Sequence, residues 1–283
     1  MLMLNVGCQE LLRFNRVQAI RWIETARARY EKLAELKIDR IQPMDGSRLA
    51  MLNEATDKVF VLQMQSLFSS AKEGLKSSFA VLDQRYNPRS SAFVLLRSSI
   101  EASSYIGWLL SIHSKDKQQF EAIKLIARTL EDMQDIKGKI LHFPADSDEQ
   151  KYNDYMSSLE NQASALFPTR DFKKQVPYST VVDNCDRAYK RTGKERHTES
   201  ALVAWRICSA VTHSNFALRY LSNAKGIGKQ GQAYGNAEMM NTSQMNLLCA
   251  VFVPAVENLD FSVKLYKKSS ECQNARKDPG SHW

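Results

Sequence analysis

The sequence has little glycine and little proline, with 11 and 7 residues of each kind among 283. These residue types form the turns between short strands, and no convincing alternation of polar and apolar residues marks a strand. Their scarcity therefore argues against a protein built from many strands. Because 43% of the residues are apolar, the chain can bury a core, and the composition predicts an all-α protein made of long helices.

Cysteine is also sparse, and its five positions are scattered along the chain: Cys8, Cys185, Cys208, Cys249 and Cys272. No C-x-x-C pair and no cluster of cysteine with histidine occurs, so we expect no metal site and no cofactor. Such thiols are typical of a protein in the reducing cytoplasm. The first residues turn polar too early for a signal peptide, and no apolar run is long enough to predict a membrane span.

Most of the chain follows a helical period of apolar residues. The predicted helices cover residues 8–37, 47–85, 89–112, 116–141, 149–166, 179–191, 199–223 and 243–268. Gly74 is expected to break the second of these helices, and Pro254 to kink or interrupt the last. We predict a single helical domain over residues 1–268 and a disordered polar tail over 269–283.

The predicted helix 199–223 contains "WRICSAVTHSN", in which polar residues interrupt an apolar run. Arg206, Ser209 and His213 fall on one side of this helix at a spacing of 3.6 residues per turn. A buried arginine or histidine costs free energy unless it is paired. We therefore expect this strip to face a polar partner, a cleft or a subunit interface.

The predicted helix 89–112 carries a matching strip within "FVLLRSSIEASSYIGWLL". Arg97 and Glu101 lie one turn apart, so their side chains can pair with each other. Since both helices look central, the simplest arrangement brings the two strips together. Glu101 is then expected to neutralise Arg206 or to orient His213.

Arginine and histidine together suit a particular chemistry. A histidine changes charge near neutral pH and serves as a general acid or base, while an arginine binds phosphate oxygens. Without metal ligands nearby, the pair suits metal-independent cleavage of RNA, in which the 2′-hydroxyl is the nucleophile and a cyclic phosphate is the product. Two alternatives remain open: an internal polar network that fixes the register of the helices, and a small-molecule pocket between them.

The motif "RICSAVTH" has six residues between arginine and histidine, and a late helix with R-x(4–6)-H resembles the HEPN superfamily. "LLRSSIEASSYIGWLL", followed much later by "WRICSAVTHSNFALRYL", is also similar to an uncharacterised group of bacterial HEPN-like proteins. In that group a helix with Arg-x-x-x-Glu precedes a helix with Ser-x-x-x-His. The resemblance covers about residues 47–223.

The resemblance implies a HEPN-like helical bundle with extra N- and C-terminal helices, in a homodimer whose motif helices meet at a cleft. It implies a ribonuclease of a toxin–antitoxin or phage-defence system, with RNA as substrate and an antitoxin or another protein as partner. The catalytic residues would be Arg206, His213 and Glu101, with Arg97 and Ser209 in support. Other members are interaction modules without activity. Ile207 favours that alternative, since active members usually have a polar residue there.

A basic cluster precedes the motif helix and is formed by Lys190, Arg191, Lys194 and Arg196. A solvated run of charge is the usual explanation for such a cluster. The net charge of +8 makes a phosphate-bearing partner more plausible without establishing one. If RNA binds, we expect these four side chains to contact its backbone.

Overall fold

The computed structural model describes residues 14–84, 91–137, 147–213 and 242–271. These residues form α-helices and one 3-10 helix, and no strand occurs among them. The α-helices are α1 Arg16–Ala34, α2 Arg48–Glu54, α3 Val59–Leu82, α4 Ser91–Ser111, α5 Lys115–Lys137, α6 Ser147–Leu166, α7 Tyr178–Lys190, α8 Ala201–Thr212 and α9 Thr242–Ser270. A 3-10 helix covers Ile38–Arg40. The prediction of an all-α, bundle-like fold of long helices is confirmed.

Helix α1 begins at Arg16 and not at residue 8, because Asn15 caps it. The Asn15 side chain accepts the Gln18 N–H at 3.0 Å, and the Gln18 side chain accepts the Asn15 N–H at the same distance. This reciprocal pair is a capping box, which satisfies two backbone donors at the start of the helix.

The prediction of one helix over residues 47–85 with a break near Gly74 is wrong. The break lies at residues 55–58, where Asp57 and Lys58 have φ angles of 47° and 68°. Asn53 closes this turn, since its carbonyl accepts the Lys58 N–H at 2.7 Å and its side chain accepts the Val61 N–H at 3.0 Å. A side chain that bonds nearby backbone in this way competes with continuation of the helix.

Gly74 instead lies inside α3 and permits a close approach to α4. A Cβ at this position would lie 2.8 Å from the Leu95 carbonyl oxygen and 3.2 Å from the Ser99 Cβ. Any larger residue would therefore push α4 away. The glycine is needed for packing between helices rather than for a turn.

Helix α9 continues through Pro254 and ends at Ser270, so the predicted interruption is absent and the tail does not begin at residue 269. The helix is buried from Cys249 to Val263, and this burial offsets the hydrogen bond that proline removes. By length and composition Met245–Ser270 is apolar enough to cross a membrane, but 94% of its apolar window is buried inside the structure, as in a core helix. Residues 272–283 of the predicted tail lie outside the described ranges.

The described residues form two compact units. The first unit contains the described residues within Met1–Lys37, Leu67–Gly107 and Tyr178–Ser262. The second unit contains those within Ile38–Ser66, Trp108–Pro177 and Val263–Trp283. The expected single domain over residues 1–268 stays a prediction. All residues of the two polar strips that the structure brings into contact belong to the first unit.

The first unit combines aromatic packing with a buried polar network. Phe79 and Phe252 lie with ring centroids 4.7 Å apart. Asn258, which is fully buried on α9, donates to the hydroxyls of Ser103 and Ser104 on α4 at 3.0 and 2.8 Å. Since these polar groups are satisfied, the network fixes the register of α4 against α9 at no large cost.

The second unit has its own apolar core between α5 and α6. Its buried members are Phe120, Ile123, Ile126, Ala127, Leu159, Ala163 and Phe172. Tyr155 packs against this cluster and donates its hydroxyl proton to the Thr56 carbonyl at 2.8 Å. That bond ties α6 to the turn between α2 and α3.

Candidate functional site

The structure brings the polar strips of α4 and α8 together. Arg97 Nη1 lies 3.4 Å from Nε2 of His213, and Glu101 Oε1 accepts the indole N–H of Trp205 at 2.8 Å. Arg97 Nε also donates to the same Glu101 oxygen at 2.9 Å. We call Arg97, Glu101, Trp205 and His213 the strip cluster. Its contacts between α4 and α8 link positions that are more than a hundred residues apart in the sequence.

The partner of Glu101 differs from the expected one. Trp205 binds the carboxylate, and neither Arg206 nor His213 does so. Arg206 is exposed and forms no hydrogen bond or ion pair within the described ranges. Since successive residues on a helix point about 100° apart, an indole turned towards α4 leaves the next side chain facing solvent. The expectation that Arg206 is buried and is neutralised by Glu101 is therefore not met among the described residues.

The contact between Arg97 and His213 has one direction when the imidazole is neutral. A guanidinium only donates hydrogen bonds, so a neutral His213 accepts through Nε2 and carries its ring proton on Nδ1. His213 is the C-cap of α8, and its own N–H donates to the Ser209 carbonyl at 3.0 Å. Among the described residues the His213 side chain is exposed.

The remainder of the strip cluster is more buried than His213. The Arg97 and Glu101 side chains are 26% and 19% exposed. The Arg97 guanidinium lies over the Trp205 ring, 5.5 Å from its centroid, which is a cation–π arrangement. Arg97 is therefore held from two sides, by a carboxylate and by an indole face, and its orientation towards His213 is fixed.

Two polar groups of α8 lie beneath this surface. The Ser209 hydroxyl is buried and finds no hydrogen-bond partner among the described residues. Burial raises the pKa of the neighbouring Cys208 thiol far above its usual range, so this cysteine is a neutral core residue and no nucleophile.

Ser104, which continues the polar strip of α4, does not join the strip cluster. Its hydroxyl accepts from Asn258 in the buried network of the first unit. The chemistry of the strip on α4 is thus confined to Arg97 and Glu101.

The basic cluster divides into exposed and buried members. Lys190, Arg191 and Lys194 are exposed. The Arg196 side chain is 8% exposed and pairs with Asp186 at 2.7 Å and with Glu257 at 3.6 Å. Its guanidinium is buried and ion-paired, so Arg196 does not offer the surface contact with RNA that was expected of it.

Asp186 has a role that sequence reasoning missed. Its two carboxylate oxygens accept the N–H groups of Ala201 and Leu202 at 3.1 and 2.7 Å, and the Ser200 side chain accepts that of Val203 at 3.2 Å. Negative charge is favourable at a helix N-terminus. Asp186 and Ser200 together explain why α8 begins at Ala201. The signal in the sequence is a single acidic residue on the apolar face of α7.

The described residues contain no candidate metal centre at the strip cluster. Within residues 14–84, 91–137, 147–213 and 242–271, no three His, Cys, Asp or Glu side chains lie close enough to share a metal ion. A surface hollow of about 360 Å³ in the second unit is lined by Asp45, Gly46, Ala50, Met51, Glu54, Ala55, Lys115 and Gln119. Neither polar strip contributes to that lining. The glycine-rich loop at 226–231 lies outside the described residues.

Comparison with family models, with curated proteins and with solved structures produced no match for this chain.

Proposed function

We propose that this chain is a HEPN-like protein that cleaves RNA without a metal ion, with His213 and Arg97 as the reacting pair. The observation that carries the proposal is the 3.4 Å contact between Arg97 Nη1 and His213 Nε2 at the exposed end of α8. It unites an acceptor nitrogen and a phosphate-binding cation from two different helices.

The proposed reaction needs few groups. When a phosphate draws the Arg97 guanidinium away from His213, Nε2 of neutral His213 accepts the proton of a 2′-hydroxyl, whose oxygen attacks the adjacent phosphorus. The 5′-oxygen leaves with the electron pair of the P–O bond and takes a proton from solvent. The products are a 2′,3′-cyclic phosphate and a 5′-hydroxyl. The guanidinium of Arg97 has further N–H groups that stabilise the negative charge of the phosphorane-like transition state. Glu101 and Trp205 are positioning residues that hold Arg97.

Under this proposal Arg206 and the basic turn formed by Lys190, Arg191 and Lys194 bind the backbone of the RNA. All four side chains are exposed, and each phosphate that they neutralise makes binding more sensitive to salt. Arg206 then contributes to affinity more than to the chemical step. This assignment differs from the sequence-based expectation that Arg206 is catalytic.

The test is cleavage of a mixed RNA substrate in EDTA, with analysis of the product ends. We expect cyclic-phosphate ends from the wild-type chain, and a loss of about 10²-fold or more in rate for His213→Ala and Arg97→Ala, the range typical of general acid–base groups. Arg206→Ala should mainly raise KM. His113→Ala, at an exposed histidine of the second unit, is the matched control. Cleavage that survives in His213→Ala sinks the proposal.

A second candidate function is a non-enzymatic interaction module. It is favoured by the shared use of Glu101 Oε1, which accepts from both Arg97 and Trp205 and so links α4 to α8 as a structural network. Under this alternative no RNA is cleaved by the wild-type chain, and Arg97→Ala lowers only the free energy of unfolding. The two functions are therefore separated by one pair of measurements.

The resemblance to HEPN proteins adds a homodimer and a cytoplasmic protein partner such as an antitoxin to the proposal. Light scattering on the purified chain tests the first point. A homodimer has twice the mass of the 32.2 kDa chain, and a monomer over the micromolar range would contradict it.

A further inference from the structure

A second histidine of the first unit is held in a way that the strip cluster does not explain. His197 Nδ1 contacts Glu257 Oε1, and the His197 backbone N–H donates to the same oxygen at 3.3 Å. The Glu257 side chain is 1% exposed, whereas that of His197 is 51% exposed. The imidazole therefore lies at the surface and is anchored from within.

Further contacts fix both members of this pair. The Trp22 ring lies against the imidazole with centroids 5.1 Å apart. Arg196 Nη1 and Arg29 Nη1 lie 3.6 and 3.9 Å from the Glu257 carboxylate oxygens. These two guanidiniums also pair with Asp186 and Asp260, so they compensate the charge of Glu257 only in part. The Trp22 indole restricts rotation of the imidazole.

The anchor determines which ring nitrogen is available. A carboxylate accepts hydrogen bonds, so the proton of neutral His197 lies on Nδ1 and the lone pair lies on Nε2. Nε2 forms no hydrogen bond within the described part of the chain. An acidic side chain that orients a histidine and stabilises its cationic form is the arrangement that promotes reaction at the opposite nitrogen.

We propose that His197 Nε2 is a phosphoryl-acceptor site for small acyl phosphates. The Nε2 lone pair attacks phosphorus, the N–P bond forms, and the P–O bond to the acyl group breaks, so that a carboxylate leaves with the electron pair. The proton stays on Nδ1, and the resulting imidazolium charge faces Glu257. No oxidant or reductant is needed, and the proposal does not rest on the proposed cleavage of RNA.

The chain provides its own comparison for this reaction. His113 is exposed like His197. Within the described residues, however, its side chain forms no hydrogen bond with a carboxylate. At His213 the Nε2 atom faces Arg97. A reagent that responds only to exposure would therefore label both His113 and His197.

The experiment exposes the full chain to acetyl phosphate at neutral pH and follows acid-labile phosphate at each histidine by tandem mass spectrometry. Phosphorus NMR identifies the modified nitrogen. We expect phosphorylation of His197 on Nε2, roughly tenfold faster than that of His113, which is the factor that one charge-assisted hydrogen bond supplies. Glu257→Gln should reduce the rate at His197 towards that of His113.

The variant requires a check of folding, since Glu257 is buried among charged groups. Thermal unfolding of Glu257→Gln serves for this purpose, and the comparison of His197 with His113 in the wild-type chain is independent of it. Equal labelling of the two histidines, labelling of His197 on Nδ1, or an unchanged rate in a folded Glu257→Gln variant would each overturn the proposal.

Discussion

Asp186 and Arg196 form an ion pair in the interior of the first unit, with 2.7 Å between Oδ1 and Nη2 and side chains that are 5% and 8% exposed. The same carboxylate caps the N-terminus of α8 through Ala201 and Leu202. The placement of α8, which presents Trp205 and is capped by His213, therefore depends on a charge pair outside the strip cluster.

Removal of Arg196 should be costly, because it leaves Asp186 and Glu257 buried with less compensating charge. We expect Arg196→Ala to lower the free energy of unfolding by about 3–5 kcal/mol, as for other broken buried pairs. Urea denaturation measures this effect. Lys194→Ala, at an exposed position two residues earlier, should change stability by less than about 0.5 kcal/mol. Equal effects of the two substitutions would show that the buried pair contributes little.

The bond between Trp205 and Glu101 should couple the two helices that carry the strip cluster. Trp205→Phe leaves an aromatic ring but removes the indole donor, and it should cost about 1–3 kcal/mol in unfolding free energy. A double-mutant cycle with Glu101→Gln should give a coupling energy of about 0.5–3 kcal/mol. Arg206→Ala is the control on the exposed side of the same helix. Strict additivity would mean that the bond is not formed in solution.

Gly74 tests the packing of α3 against α4. Alanine has the higher helix propensity by about 1 kcal/mol, so in an isolated helix Gly74→Ala would stabilise. Here the new Cβ would meet the Leu95 carbonyl at 2.8 Å, and backbone cannot move aside cheaply. We expect net destabilisation by about 1–3 kcal/mol from overpacking. A rise in the melting temperature of Gly74→Ala would contradict the close approach.

Tyr155 should make stability depend on pH in the alkaline range. Burial, with a smaller contribution from Asp57, raises the pKa of its hydroxyl from 10.0 to about 12. The unfolded chain loses this proton first, so the contribution of Tyr155 is complete below pH 10 and is lost as the pH rises towards 12. Tyr155→Phe should cost about 0.5–1.5 kcal/mol near neutral pH, and this cost should shrink above pH 10. Urea denaturation across this range measures it, and a constant difference would be the contrary result.

Part of this arrangement was predictable from local sequence. The helical period and the scarcity of glycine and proline predicted the all-α fold, and a spacing of four residues predicted the pair of Arg97 with Glu101, which the structure contains. Such features depend on neighbours within one or two turns of a helix, so the order of residues is enough to specify them.

Which residues of the two polar strips bind each other depended on the tertiary structure. It placed Trp205 rather than Arg206 against Glu101, because the rotation of α8 is set by its whole apolar face and by the cap at Asp186. It also moved Arg196 from an expected surface cluster into the interior. The value of a buried charge depends on partners that come from distant parts of the chain. For that reason the sequence by itself determined the helices and the types of polar residue on them, while the folded arrangement determined which charges meet and which face solvent.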